Sequence, residues 1–339
     1  MNCTVPTNSY CCRSKFESCR TRLLRSPSSA LVSLGLPPAY RLSQLGVAAD
    51  VYETGSNAGG RMARSQLGEA VFDHGAQFFT TRGNEFRTLV EAAETEGAAR
   101  VWTRGFGEAP DGYERWRGVP DMTALAAWLL AKSEARVYLE SPVVDLGQLS
   151  ASGIILTPPI PVSVSLARDS GLEPPSGLMG RLEAVQYKRT IAVLLVLKGS
   201  LRGMPADGGI QLSDDRDLAF ITDNCQKGVS SRPALTIHLS NDAPPPPRPP
   251  LDLWDQTDET IMNFAIARAR SWVEVGDVVD QSITRWRYAG PVEVLPESSA
   301  TWGQEPSLVI AGEAFNGPKV EGAFNSGIDA ANRVAEILS

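Results

Sequence analysis

The sequence predicts an α/β fold in which a doubly wound domain carries an inserted, mixed β-rich domain. Three segments indicate the doubly wound part: a strand that ends in an acid at Val47–Glu53, a glycine-rich turn at Thr54–Arg61, and a buried strand at Ser307–Ala311 that leads into a helix. Strands that alternate with helices favour a parallel sheet. From about residue 165 to residue 300 the pattern changes to strands, which predicts the insertion.

The segments between these landmarks show clear periodicities. Pro38–Gly46 is predicted to be a helix, because Leu42 and Leu45 share a face and Gly46 can end it. Apolar residues at helical spacing predict further helices at Asn84–Gly97, Val119–Ala131, Asp258–Val273 and Ala323–Leu338. Strands are predicted within Ala70–Thr81 and at Arg136–Leu139, Gly153–Leu156, Thr190–Leu197, Leu218–Thr222 and Leu235–Leu239. Ala243–Pro250 (APPPPRPP) is predicted to be a stiff polyproline loop, with an SH3 ligand as the alternative.

The composition excludes several classes of protein. The 339 residues carry a net charge of −7, so a basic surface for nucleic acid is not expected. The longest clean apolar run, Ile191–Leu197, is far shorter than the ~20 residues that span a bilayer, so no integral membrane segment is predicted. Only two histidines are present, His74 and His238, and no cysteine pair lies beside a matching histidine pair, so no metal site is predicted.

The first residues differ from the rest of the chain. Residues 1–46 contain six basic residues and one acid, and four of the five cysteines lie in the first 19 residues. A basic, serine-rich and acid-poor composition is typical of organelle transit peptides, whereas disorder or a misjoined gene start are the alternatives. We predict that residues 1–29 are disordered or transit-like. The protein is expected to be soluble and intracellular, in the cytoplasm or, alternatively, imported into a plastid or mitochondrion.

The first two landmark segments carry residue types that suit a dinucleotide. Glu53 ends its strand, where a carboxylate can accept hydrogen bonds from a ribose diol, although many surface strands also end in Glu. Gly59 and Gly60 allow a backbone to approach phosphate or a flavin closely. Arg61 can then meet a pyrophosphate with a planar, two-pronged donor, and the alternative for Arg61 is a solvated surface charge.

The third segment has a comparable arrangement. A buried strand ends at Gly312, Glu313 follows, and a helix begins near Val320 or Gly322. Free N–H groups at such a helix start favour an anion or a polarised carbonyl, such as the pyrimidine edge of a flavin. The alternative is an ordinary strand-to-helix connection.

Together these segments resemble the FAD-dependent amine oxidoreductases, most closely the renalase-like branch. The matching text is VYETGSNAGGRMA, FDHGAQFFT, ILTPPIP and LVIAGEAFNGPKVEGAFNSGIDAANRVAEIL, and the similarity covers roughly residues 35–339 with gaps in the middle. The resemblance implies a doubly wound, Rossmann-like FAD-binding domain (30–80, 137–162 and 301–339) and a substrate domain (81–136 and 163–300). It implies FAD as cofactor, an amine or reduced nicotinamide-like small-molecule substrate that gives hydride to the flavin, and O2 or another acceptor that reoxidises it.

The resemblance also implies roles for individual residues. Glu53 would bind the adenosine ribose, Val143 would give a backbone contact to adenine, and Gln77 and Phe78 would lie near the isoalloxazine ring. Other residues would lie along the pyrophosphate, ribityl chain and pyrimidine edge: Gly59, Gly60, Arg61, Met62, Gly312, Glu313, Val320 and Gly322. No catalytic residue is implied.

The sequence departs from this family at the first strand and phosphate loop. Counting back from AYRL places the three glycines of G-x-G-x-x-G at Ala30, Val32 and Gly35, and only the third is a glycine. Pro37 and Pro38 remove two N–H donors, and Arg22–Ser29 does not have the pattern of a buried strand. We therefore expect FAD binding to be weakened by more than about a hundredfold. A family member without FAD that acts as a binding or structural protein, or an incomplete gene model, is the alternative.

Other residues suggest less specific chemistry. Asp73 and His74 are adjacent and would point to opposite faces of a strand, so they do not indicate a catalytic triad. His238 is predicted to be a satisfied histidine in the core or at its rim. Several aromatic residues are candidates for a substrate pocket, with ordinary core positions as the alternative: Trp102, Trp116, Trp128, Trp286 and Tyr288.

Overall fold

The computed structural model describes residues 29–33, 36–107, 111–213, 215, 217–240, 253–304, 307–315, 317 and 319–338. Three sequence predictions lie outside the described residues: the segment 1–28, Gly35 and the polyproline loop at 243–250. Within the described part of the chain, no helix is both long and apolar enough to cross a membrane.

The strands and helices follow in chain order. The strands are β1 (Ser29–Ser33), β2 (Ala48–Tyr52), β3 (Arg64–Leu67), β4 (Ala70–Asp73), β5 (Ala99–Thr103), β6 (Arg115–Gly118), β7 (Arg136–Tyr138), β8 (Gly153–Leu156), β9 (Tyr187–Leu197), β10 (Gly209–Gln211), β11 (Leu218–Asp223), β12 (Ala234–Ser240), β13 (Val278–Pro291), β14 (Ala300–Gln304) and β15 (Ser307–Ile310). The helices are α1 (Leu36–Gln44), α2 (Asn84–Thr95), α3 (Thr123–Ser133), α4 (Ile160–Asp169), α5 (Leu178–Glu183), α6 (Asp258–Ala269) and α7 (Lys319–Leu338).

A six-stranded sheet forms the first domain, in the order β14-β15-β8-β1-β2-β7. All neighbouring pairs are parallel except β14 with β15. The strands β8 and β15 are buried along their whole length, which is why they are short, continuous apolar runs. Helices α1 and α7 pack on one face, around Leu42 and Val334, and helices α4 and α5 pack on the other, around Val164 and Leu182. The sheet is therefore doubly wound, as predicted.

The first strand is present, and the prediction that it is missing is wrong. Strand β1 pairs with β2 on one side and β8 on the other, so that Val32 lies opposite both Val51 and Ile155. Ala30 is also a strand residue and not a position in a phosphate loop. The parallel pairing on both sides decides this assignment, because a central position in a sheet overrides the weak strand signal of SALVS.

A five-stranded antiparallel sheet forms the inserted domain, in the order β10-β11-β12-β9-β13. Alternate residues of β9 point to opposite faces. Ile191, Val193 and Leu195 pack with helix α6, whereas Ala192 and Leu194 pack with the β3–β4 hairpin. The predicted fold class, a doubly wound α/β domain with an inserted β-rich domain, is confirmed. Four strands of the first sheet, β2, β7, β8 and β15, begin and end within one residue of the predicted strands, whereas β1 and β14 were not predicted. The exact domain boundaries stay a prediction.

Some elements differ from the predictions. Helix α7 begins at Lys319, four residues before the predicted start at Ala323. Helix α4 was not predicted, although Ile160, Val164 and Ala167 have helical spacing, because its first turn follows Pro158 and Pro159. The 14-residue strand β13 was not predicted either. All of its residues except Pro291 are half-buried or exposed, and they show no clean alternation, since the strand forms the edge of its sheet beside β9.

Candidate functional site

Glu53 directly follows β2 at the carboxyl end of the parallel sheet. Its N–H donates to the carbonyl of Tyr138 (2.9 Å), and its carbonyl accepts from the N–H of Ser141 (2.9 Å). The side chain is buried, and Oε1 accepts the N–H of Gly55 at 2.7 Å. Burial raises the pKa of Glu53, while the backbone N–H groups of Gly55 and Thr54 act in the opposite direction. The carboxylate is thus fixed at the edge where a ribose is expected in this fold.

The glycine-rich turn has a backbone that only glycine adopts readily. Gly59 has φ +148° and Gly60 has φ +51°. A short 3-10 turn, Gly60–Met62, follows, and a Cβ built on Gly60 would have no heavy atom within 4 Å. The backbone of the turn is therefore accessible for close approach by a ligand.

The segment that follows β4 packs against the same turn and forms a hydrogen bond with it. The carbonyl of Arg61 accepts the N–H of Ala76 at 2.8 Å. A Cβ on Gly75 would lie 2.0 Å from that carbonyl oxygen, so only glycine fits there. Gly75 thus fixes the distance between the glycine-rich turn and the FDHGAQFFT segment.

Arg61 and Glu313 form a two-pronged ion pair between the two distant segments. Nη1 and Nη2 of Arg61 donate to the two carboxylate oxygens of Glu313, and Nη1 also donates to the carbonyl of Tyr288 at 3.1 Å. The Tyr187 hydroxyl accepts the N–H of Ile160 (3.0 Å) and hydrogen-bonds Glu313, and burial together with the Glu313 charge raises the pKa of Tyr187. Among the described residues, Nε–H and the second Nη2–H of Arg61 have no partner. These two N–H groups are parallel and can donate two hydrogen bonds to one anion.

The segment between β15 and α7 also contains glycines with special conformations or close contacts. Gly312 has φ +139°, and its N–H donates to Oγ of Ser326 at 2.9 Å. A Cβ on Gly322 would lie 1.7 Å from the carbonyl oxygen of Gly317, so the first turn of α7 folds tightly onto its own loop. Val320 is half-buried and shares a hydrophobic cluster with Leu36 and Met62. The start of α1, the glycine-rich turn and the start of α7 therefore meet.

Gln77 and Phe78 lie beside this junction. The Gln77 amide donates to the carbonyls of Asp73 (2.7 Å) and Gly75 (3.1 Å), and its Oε1 accepts from Thr222 (2.8 Å). The amide is thus used to hold the protein together, and a flavin contact would come from the backbone or from Phe78. The Phe78 ring is half-buried and lies in an aromatic cluster with Phe106, Phe220 and Trp102.

Two predicted site residues are not joined to this junction by described contacts. Val143 is half-buried, follows Ser141 by two residues and packs in the core under α4, which places its backbone near the backbone of Glu53. Gly35 lies outside the described residues. The roles of all the predicted residues toward FAD stay predictions.

Two prolines reduce the number of N–H donors at the start of α1, where this fold is expected to place a phosphate. Only two residues separate Ser33 at the end of β1 from Leu36 at the start of α1. Pro37 and Pro38 occupy the first turn of α1, and a Cβ on Gly327 of α7 would come within 2.7 Å of the Pro38 ring. The prolines thus pack against α7, and the helix start loses two of the N–H groups that would face an anion.

A buried ion pair that sequence reasoning missed stabilises the segment beneath the turn. Asp73 and Lys227 have fully buried side chains, and Nζ lies 2.7 Å from Asp73 Oδ2. Nζ also donates to the carbonyl of Gln77 at 2.7 Å. Burial lowers the pKa of Lys227, and the charge of Asp73 acts in the opposite direction. Nothing in the local sequence of Lys227, which lies in a turn after β11, indicates this contact across 154 residues of chain (227 − 73).

The fold agrees with comparisons to known proteins. Residues 34–93 match the model of the NAD(P)-binding Rossmann-like domain. A protein from Exiguobacterium sp. 255-15 put forward as a protoporphyrinogen oxidase has a TM-score of 0.63 at 12% identity, covering 92% of this chain and 98% of that one. Reduced UDP-galactopyranose mutase has a TM-score of 0.62 at 11% identity, covering 93% and 98%. An oxidoreductase from Methanosarcina mazei has a TM-score of 0.56 at 10% identity, covering 90% and 99%. The chain thus has a Rossmann-like dinucleotide-binding domain and an antiparallel sheet domain, like flavoprotein oxidoreductases.

Proposed function

We propose that this chain is an FAD-dependent oxidoreductase of the amine oxidase, renalase-like type. The convergence of the glycine-rich turn, Arg61 and the Gly312–Glu313 segment supports the proposal more than any other observation. Bound FAD would supply the redox chemistry, taking hydride from an amine or a reduced nicotinamide-like ring and passing electrons to O2 or another acceptor.

The residues of the ribose and flavin ends fit FAD. Glu53 offers a buried carboxylate at the sheet edge, and the backbone at Gly60 is open, since a Cβ there would meet no heavy atom within 4 Å. Arg61 is held in place by Glu313, so its remaining N–H pair is oriented before any anion binds. This fixed donor lowers the entropic cost of binding a pyrophosphate.

The phosphate end supports weaker binding. A helix start preceded by a glycine loop usually gives several backbone N–H groups to the pyrophosphate, and here Pro37 and Pro38 contribute none. Each lost hydrogen bond to a charged group is worth about 1.5–3 kcal/mol, so two cost a factor of more than about a hundred in the dissociation constant. Arg61 offsets part of this loss.

Spectroscopy and titration test the proposal. We expect the purified full chain, incubated with FAD and desalted, to keep the visible absorbance of oxidised flavin and to lose it on reduction. Glu53→Ala is expected to weaken FAD binding by about tenfold or more, because it removes a charged acceptor. The control Glu69→Ala changes an exposed acid that forms an ion pair with Arg232 at 3.8 Å, and should leave affinity unchanged. A folded protein that takes up no FAD, even at high concentration, would overturn the proposal.

One observation favours a second candidate, a binding or structural protein without FAD. Pro37 and Pro38 in the first turn of α1 remove two N–H groups that a helix start would offer to a phosphate. Calorimetry with FAD that shows no heat of binding, while circular dichroism shows a cooperatively folded chain, would favour this candidate.

A further inference from the structure

His74 lies over the face of the five-stranded sheet that packs with the β3–β4 hairpin. The registers of the strands align His238, Ala192 and Thr284 in one row across β12, β9 and β13. The carbonyl of His74 accepts Nε2–H of His238 (3.0 Å) and Nε1–H of Trp286 (2.9 Å). Two side chains of the sheet therefore fix the backbone of His74 between the two domains.

The imidazole is fixed on one edge only. Nδ1 lies 3.2 Å from the hydroxyl oxygen of Thr284, and the ring centre lies 5.1 Å from that of Trp286. Nε2, on the opposite edge of the ring, has no hydrogen-bond partner among the described residues. The residue is half-buried, and Nε2 is not one of the buried side-chain nitrogen or oxygen atoms that lack a partner in the described part of the chain, so another molecule can reach this edge.

His74 is also adjacent to the candidate cofactor site. The next residue, Gly75, packs so closely against the carbonyl of Arg61 that no Cβ fits between them. Strand β13 touches both places, because Trp286 contacts His74 and the carbonyl of Tyr288 accepts from Arg61. A substrate between the sheet and a flavin beside the glycine-rich turn would thus lie near the free edge of His74.

The charged groups around His74 are already paired. Asp73 is paired with Lys227, and Arg61 is paired with Glu313. Burial lowers the pKa of His238 to about 4, so His238 is neutral and its Nε2–H donates to His74. Burial also lowers the pKa of His74, and the charge of Asp73 acts in the opposite direction. At neutral pH the imidazole is therefore mainly uncharged and able to take a proton.

We propose that Nε2 of His74 accepts the proton of a substrate ammonium group. The inference rests on the proposed function and adds a catalytic residue to it. One N–H bond of the ammonium breaks and one N–H bond forms on the imidazole. The electron pair stays on the substrate nitrogen, which leaves a neutral amine. FAD, when bound, would supply the acceptor for a hydride from its α-carbon. Proton acceptors of this kind contribute about 10²- to 10⁴-fold to rate.

This role separates the two substrate classes. An amine enters as an ammonium ion and needs an acceptor, whereas a dihydronicotinamide gives hydride without first losing a proton. Activity toward amines should therefore rise with pH through the pKa of His74, and activity toward NADH should not.

The two histidines of the chain allow a direct test by NMR. With 13C-labelled histidine and the FAD-loaded full chain, two imidazole signals are expected, and His238→Gln assigns them. Addition of benzylamine should shift the His74 signal and lower the pH at which it titrates, because an ammonium ion that donates to Nε2 disfavours a second positive charge on the imidazole, while the His238 signal stays in place. Flavin absorbance, recorded before benzylamine is added, shows separately whether the proposed function itself holds.

Kinetics provide the second readout. His74→Gln should keep FAD uptake and lower kcat/KM for benzylamine at neutral pH by about a hundredfold, with loss of the rise with pH. Activity toward NADH should stay within about twofold. A His74 signal that ignores saturating benzylamine, or a His74→Gln variant that keeps its kcat/KM for benzylamine within about threefold, would overturn the inference.

Discussion

Replacement of Lys227 by Met should destabilise the protein strongly, because it leaves the Asp73 carboxylate buried without its cation. Both side chains are fully buried, and Nζ binds Asp73 and the carbonyl of Gln77 and lies 4.5 Å from the centre of the Trp102 ring. After the substitution, the Asp73 carboxylate keeps one hydrogen bond within the described residues, from the N–H of Met122 at 2.9 Å. Removal of one partner of a buried ion pair costs about 3–5 kcal/mol, so we expect a loss of that size in the free energy of unfolding.

Urea unfolding followed by tryptophan fluorescence measures the effect. Lys132 is a matched control, because it also lies over a tryptophan ring, 5.6 Å from the centre of Trp128, and pairs with Glu96 at 2.8 Å, but both charged side chains are exposed. Lys132→Met should cost less than about 1 kcal/mol. The double variant Asp73→Asn/Lys227→Met should be more stable than Lys227→Met alone, because it removes the unpaired charge. Equal losses for Lys227→Met and Lys132→Met, or additive losses in the double variant, would refute the reasoning.

Three further predictions concern pH, packing and affinity. Burial lowers the pKa of His238 to about 4, against about 6.5 when unfolded, so the unfolded chain binds the proton first. The stability due to neutral His238 is therefore complete above about pH 6.5 and falls by about 3 kcal/mol as the pH drops to 4, measured as the urea midpoint against pH. Gly75→Ala should cost more than about 1 kcal/mol in urea unfolding and reduce FAD uptake, because its Cβ would lie 2.0 Å from the Arg61 carbonyl oxygen. Pro37→Ala should tighten FAD binding by about tenfold in calorimetric titration, since it restores one N–H at the start of α1.

Each of these has a control. His238→Gln should flatten the acid side of the stability profile, and an unchanged slope would contradict the assignment to His238. Gly180→Ala, in helix α5 with no heavy atom within 4 Å of the added Cβ, should not destabilise, so a loss equal to that of Gly75→Ala would show that the contact with Arg61 is irrelevant. If Pro37→Ala leaves FAD affinity unchanged, the start of α1 does not face the pyrophosphate.

The sequence predicted the parts of the fold that local patterns specify. Buried parallel strands such as Gly153–Leu156 and Ser307–Ile310 are short apolar runs, and the helix at Asn84–Thr95 has a clear apolar face. The order of these elements was enough to predict a doubly wound sheet with an insertion. The weak strand Ser29–Ser33 was missed, because its position between two parallel partners, and not its own residues, makes it a strand.

For the candidate site, the sequence identified the candidate residues, namely the glycines, Glu53, Arg61 and Glu313. Their types and order along the chain favour a dinucleotide site without any knowledge of contacts. Which groups meet was decided only by the tertiary structure. Arg61 binds Glu313, and Lys227 neutralises Asp73, although both pairs are far apart in sequence. Gly75 packs so closely against the Arg61 carbonyl that no Cβ fits between them. Local patterns report which face of a helix or strand is buried, whereas the partner of a buried polar group depends on how distant segments pack, since burial without a partner is too costly to persist.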